Sequence, residues 1–99
     1  MSELGRIELD ADDGHTAVVA LIGAIDLAVS QKLQRTLADL ISPNVVIDMR
    51  ETTFIDSITI GALVAARQSG RVLTLRGLHG APLAALDRSG VTGLFEQPT

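Results

Sequence analysis

Apolar and polar positions alternate at the start of the chain. Arg6-Ile7-Glu8-Leu9 has the period of two expected of a strand with one wetted face, and Ala17-Val18-Val19-Ala20-Leu21-Ile22 is the unbroken apolar run of a buried strand. Ala11-Asp12-Asp13-Gly14 between them has turn composition, which predicts an N-terminal β-hairpin. From Asp26 the period lengthens. Val29, Leu33, Leu37 and Leu40 share one helical face while Gln31, Lys32, Gln34 and Arg35 fall elsewhere, and Ser42-Pro43-Asn44 ends this amphipathic helix. Val45-Val46-Ile47-Asp48-Met49 is a β-branched run too short for a buried helix. Phe54-Ile55 then leads into a second helix from about Ser57 to Gln68. After the stop at Ser69-Gly70, Arg71-Val72-Leu73-Thr74-Leu75 reads as a third core strand, and Pro82 suits the first turn of a short last helix closed by Gly90.

Strands separated by helices require parallel pairs through crossovers, here beside an antiparallel hairpin. The expected fold is α/β, a small mixed sheet of about four strands flanked by three to four helices. With 99 residues, 46% of them hydrophobic, the chain has enough apolar material for one core, and residues 1–99 read as a single domain without repeat or linker. The first few and last few residues are expected to fray.

Composition narrows the function. No apolar run approaches the roughly 18 residues that cross a bilayer, and no charged-then-apolar leader opens the chain, so neither membrane spanning nor export is expected. The absence of cysteine removes disulfides and thiolate metal sites and fits a reducing compartment; the expectation is a cytoplasmic protein. A net charge of −4 with no Lys/Arg cluster provides no footprint for nucleic acid. Phe54 and Phe95 are the only aromatic residues, too few for a base-stacking platform or an aromatic-lined pocket. No cofactor is expected, and a protein partner is the better fit.

The candidate chemistry lies in Thr53-Phe54-Ile55-Asp56-Ser57-Ile58-Thr59-Ile60-Gly61, where a short acid and a hydroxyl sit at the entry to a helix. Either residue serves as an N-cap, and that structural reading is the commoner one for the dipeptide alone. On a helical wheel Ile60, Leu63 and Val64 share one face, with Ile58, Ala62 and Ala65 roughly opposite. A helix apolar on two faces is either sandwiched within the protein or offers one face to a partner, and a small sheet covers only one side.

Val45 to Met49, Phe54-Ile55-Asp56-Ser57 and Ile60-Gly61-Ala62-Leu63 together resemble the signature of the STAS domain, the fold of anti-sigma factor antagonists. Gly23-Ala24-Ile25-Asp26 resembles that family's Gly-x-Leu-Asp at the first helix, and Ser89-Gly90-Val91-Thr92-Gly93-Leu94-Phe95 resembles its closing segment. The resemblance implies a non-enzymatic regulator that binds an anti-sigma factor with serine kinase activity and is released when Ser57 is phosphorylated, a separate serine phosphatase reversing the step. It makes Thr59 the fallback acceptor, Asp26 and Asp56 the charged surroundings of the switch, and Ile58, Thr59, Gly61, Ala62 and Ala65 the partner-binding surface. The family usually follows Asp-Ser with a small hydroxyl residue, Gly and Leu, where this chain has Ile58, Thr59 and Ile60. Those substitutions keep a second reading open, an unphosphorylated binding or scaffold module of the same fold, such as a transporter subunit or part of a ligand-sensing assembly.

Other polar residues carry less. Asp26 reads first as an N-cap. Asp48 at a strand end invites comparison with a receiver-type phosphoacceptor, yet no acidic pair follows the first strand, and metal binding is not expected. A Ser57-His79-Asp triad can be drawn, but no Gly-x-Ser-x-Gly elbow supports a hydrolase, and His15 and His79 read as solvated loop residues.

Overall fold

A computed structural model of the chain describes residues 4–97; the expected fraying of the first few and last few residues falls mainly on positions outside this range. The hairpin forms from β1 (Arg6–Asp12) and β2 (Thr16–Ile25). Helix α1 (Leu27–Asp39) leads to β3 (Asn44–Asp48) and β4 (Thr52–Ile55), and α2 (Ser57–Gln68) to β5 (Val72–Arg76); α3 (Gly80–Arg88) and a 3-10 turn at Thr92–Leu94 close the described chain.

The mixed sheet runs β1-β2-β3-β5, with β1 antiparallel to β2 and the rest parallel. It has five strands rather than about four, because Thr52–Ile55 is itself a strand. The reason lies in the length of β2. β3 occupies only Thr16–Ala20 of its ten residues, which leaves Gly23–Ile25 free to pair in parallel with β4. The turn between β3 and β4 is held against β2 by Gly23 N–H donating to the Glu51 carbonyl at 2.9 Å and by Thr52 Oγ1 donating to the Leu21 carbonyl at 2.6 Å.

Strand alternation places Val19, Leu21, Val45, Ile47, Leu73 and Leu75 in the core, where Leu33 and Leu37 of α1, Leu63 of α2 and Leu86 of α3 join them. The stripe expected for α1 is the one that packs: Leu33, Leu37 and Leu40 are buried and Val29 lies against the cluster. Intervening residues Val18, Val46 and Thr74 sit on the other sheet face, side by side and only half-buried.

Arg71 closes α1 from a distance. Its guanidinium donates to the Leu37 carbonyl at 2.7 Å and to the Leu40 carbonyl, so the last turn of α1, which has no basic residue of its own, is capped by the residue preceding β5. At the hairpin end the Asp12 carboxylate accepts from Ile41 N–H, Ser42 N–H and Ser42 Oγ, while Ser42 Oγ accepts from Gly14 N–H, joining the β1–β2 turn to the α1–β3 loop.

Candidate functional site

Ile25 and Ile55 are register partners in neighbouring parallel strands, and each is followed by an aspartate that opens a helix. The N-termini of α1 and α2 therefore emerge at the same end of the sheet. Both aspartates are N-caps with extended backbone, as the capping reading of each requires. Their strengths differ. Asp26 Oδ1 accepts from Val29 N–H at 3.3 Å and its residue is exposed. Asp56 Oδ1 accepts from Thr59 N–H at 2.8 Å and Thr59 Oγ1 at 2.9 Å, and its Oδ2 accepts from Ser30 Oγ at 3.2 Å.

Ser57 is the first residue of α2, exposed, and its hydroxyl has no side-chain partner among the described residues. The first intrahelical bond is Ile60 N–H to the Asp56 carbonyl at 3.2 Å, so the Ser57 and Ile58 amides precede the ladder. An anion on Ser57 would meet those amides and the positive end of the helix dipole, opposed by the Asp56 carboxylate.

The surface expected along α2 divides. Ile58, Gly61 and Ala65 are exposed, but Thr59 is 0% and Ala62 only 5% exposed. The fully buried stripe is Thr59, Ala62, Leu63 and Ala66, an i, i+3, i+4, i+7 set; of the face that the helical wheel grouped, Leu63 is buried while Ile60 and Val64 are half-buried against the edge of the core. Two causes explain the rotation. The Thr59 hydroxyl is drawn inward by Asp56, and the small Ala62 and Ala66 side chains let α1 come close beside α2. Thr59 is thus a buried partner of the cap and not an exposed acceptor, and Ala62 belongs to the floor of a groove of about 390 Å³ between the two helices, with Leu37, Ala38 and Ala65 among its walls.

Sequence reading missed Ser30, which is fully buried and links the two helix entries, and also Leu27 and Phe54, exposed apolar residues flanking the same end. A hydroxyl four residues after the Asp26 cap was a faint signal, since a first-turn serine is commonplace. The remaining candidates lie elsewhere. Asp48 accepts three hydrogen bonds from the Arg50 side chain and one from Arg76, and this contact with Arg50 first of all holds its carboxyl down at about 2. His79 Nε2 lies 2.9 Å from the Arg50 carbonyl, with no hydrogen bond to Ser57 among the described residues, and His15 sits in the hairpin turn beside Thr16 and Asn44. Among the described residues no group of three or more His, Asp or Glu is arranged to hold a metal, and no helix is long and apolar enough to cross a membrane.

A mixed five-stranded sheet with two capped helices emerging side by side from its parallel strands is the STAS architecture. The chain belongs to the STAS domain family: residues 9–96 match the family model described as "Mlab, STAS domain". An anti-sigma factor antagonist from Mycobacterium paratuberculosis superposes with a TM-score of 0.77 at 23% identity, covering 100% of this chain and 92% of that one. SpoIIAA, an anti-sigma factor antagonist, superposes in its unphosphorylated form with a TM-score of 0.74 at 13% identity over 97% of this chain and 89% of that one. The Bacillus SpoIIAA structure in the phosphorylated form gives 0.69 at 15% identity over 97% and 92%. A sulfate transporter family protein from Wolinella succinogenes gives 0.68 at 24% identity over 83% of this chain and 72% of that chain. No curated protein matches the sequence.

Proposed function

We propose that this chain is an anti-sigma factor antagonist of the bacterial cytoplasm, which acts by binding rather than by catalysis. It docks an anti-sigma factor with serine kinase activity at the N-terminal end of α2, releases it when Ser57 is phosphorylated, and is reset by a serine phosphatase. One observation carries the reading: Ser57 offers an exposed, unengaged hydroxyl at the first position of a helix whose own cap is already filled by Asp56. Modification there removes no hydrogen bond that the fold needs. The likeness to SpoIIAA structures in both phosphorylation states supports a fold that survives the added group.

The charge supplies the switch. A phosphoserine adds about −1.5 to −2 charges, and unit charges about 4 Å apart repel by ~1 kcal/mol in water and ~4 kcal/mol at an effective dielectric near 20. Since about 1.4 kcal/mol is tenfold in affinity, the upper end is enough to exchange partners. The docking face under this reading is Ile58, Gly61 and Ala65, joined by Leu27 and Phe54, with Asp26 and Asp56 as its charges. The test is incubation of the purified chain with kinase-type anti-sigma factors and ATP, followed by intact-mass and peptide mass spectrometry. Phosphate on Ser57 is the expected result; a stable complex that never transfers phosphate contradicts the switch.

A second reading, an unphosphorylated binding module of a transporter, has its own support in the Ile58-Thr59 sequence after Ser57 and in the likeness to the sulfate transporter family protein. Under it Ser57→Ala and Ser57→Asp bind the partner alike.

A further inference from the structure

Ser57 stands beside charge of the sign that a phosphate adds. Neither α1 nor α2 has a basic side chain in its first turn: Leu27-Ala28-Val29-Ser30 opens one and Ser57-Ile58-Thr59-Ile60 the other, and the first cations along these helices are Lys32 and Arg67. An anion at position 57 therefore has the early amides and the dipole of α2 to receive it, against the carboxylates of Asp26 and Asp56. Asp56 is its chain neighbour, and where that carboxylate is held decides how strongly it opposes the anion.

Both oxygens of Asp56 are engaged by buried groups. Oδ1 accepts from the Thr59 amide and hydroxyl at 2.8 and 2.9 Å, and Oδ2 accepts from Ser30 Oγ at 3.2 Å; Thr59 and Ser30 are each 0% exposed, whereas Ser57 is exposed. The Thr59 amide secures Oδ1 whatever the Thr59 side chain does. Oδ2 has Ser30 as its one donor among the described residues. Ser30 Oγ also lies 3.0 Å from the Leu27 carbonyl, but that oxygen faces the Gln31 amide in the ordinary i, i+4 ladder, and a bond to an ionised acceptor is the stronger one, so the carboxylate has the larger share of the proton.

We propose that Ser30 is a positioning residue of the switch: by holding Asp56 Oδ2 on the α1 side, it keeps that charge off the Ser57 and Ile58 amides and lets position 57 accept an anion. The inference rests on the reading of Ser57 as the switch residue. Without the Ser30 donor, Oδ2 is free to turn towards those two amides, which precede the helical ladder, and there it competes with the anion for them and stands closer to it. This part of the loss is felt only when position 57 carries a charge.

The test is a double-mutant cycle on the full chain, read by urea unfolding: wild type, Ser30→Ala, Ser57→Asp and the double variant, repeated in an Asp56→Asn background, which keeps a capping oxygen but carries no charge. The cycle subtracts whatever Ser30→Ala costs by itself, so a serine that only supports the fold shows no coupling. Ser57→Asp is expected to lower the folding equilibrium constant about five- to tenfold more in the Ser30→Ala chain than in the wild type, and the excess is expected to vanish with Asp56→Asn. Ser30→Cys, similar in size but a weaker donor, should show part of the coupling and replaces Ser30→Ala if that variant does not fold. Effects that add within about twofold, or a coupling that persists in the Asp56→Asn series, would overturn the proposal. No kinase is used, so the two failures are distinct: a Ser57 that never takes phosphate from its partner overturns the switch and with it the role given to Ser30, whereas additivity overturns the role of Ser30 alone.

Discussion

Ser30 Oγ lies 3.2 Å from Asp56 Oδ2, so a fully buried hydroxyl of α1 holds the residue that caps α2. The same hydroxyl lies 3.0 Å from the Leu27 carbonyl in its own helix, and its single proton is shared between the two acceptors. The entry to α2 is consequently built on one carboxylate with three donors, two from Thr59 of its own helix and one from Ser30 of α1.

The first prediction follows from that count. Asp56→Ala strands the Thr59 amide and the Thr59 hydroxyl, leaves the Ser30 hydroxyl only the Leu27 carbonyl, and is expected to destabilise the fold by about 2–3 kcal/mol. Asp26→Ala removes one long bond at an exposed cap and is expected to cost about 0.5–1 kcal/mol. Urea unfolding measures both, and equal losses would contradict the ranking.

Thr59 provides a second. With its hydroxyl buried against Asp56, it is inaccessible to a kinase in the folded chain, so phosphate mapping should find none there. Thr59→Val keeps the shape, loses one hydrogen bond at a cost of about 1 kcal/mol, and leaves modification of Ser57 intact.

Gly77 tests the arginine pair by shape. A Cβ there would stand 2.2 Å from Arg50 Cγ, and its φ of +71° is one that L side chains avoid. Gly77→Ala is expected to cost about 1–3 kcal/mol and to displace Arg50 from Asp48; unchanged stability and unchanged Arg50 side-chain resonances would refute the contact.

Asp48 sets an acid limb. Its carboxyl is held at about 2, below the ordinary carboxylate value of 3.8, so the stabilisation it gives is complete above the unfolded value and is lost as pH falls from there through about 2. The half-exposed arginines limit the effect to roughly 1–2 kcal/mol. Asp48→Asn should flatten this part of the stability profile, measured as urea midpoints between about pH 5 and pH 2; an unaltered slope would assign the acid limb to other carboxylates.

Much of this was legible from periodicity. The hairpin, both long helices and the core strands follow from where Leu33, Leu37, Val45, Ile47, Leu73 and Leu75 fall, because a single apolar face dictates each element. β4 escaped because its four residues take their strand conformation from the unpaired upper part of β2, which no local pattern reports. The rotation of α2 was hidden for a related reason: the wheel weighs Ile60 and Val64 above Ala62 and Ala66, whereas close approach of α1 favours the smaller side chains. Asp56 and Ser57 could be located from their cap chemistry, but that Asp56 joins two helices required Ser30, a contact across 26 positions.

The most direct test of the central claim is the affinity of one kinase-type anti-sigma factor for the wild-type chain, Ser57→Ala and Ser57→Asp, measured by titration calorimetry without ATP. An account in which charge at the entry of α2 governs docking predicts that Ser57→Ala binds within about twofold of wild type and Ser57→Asp at least about tenfold more weakly. Equal affinities for the two variants, with both folded, would contradict it.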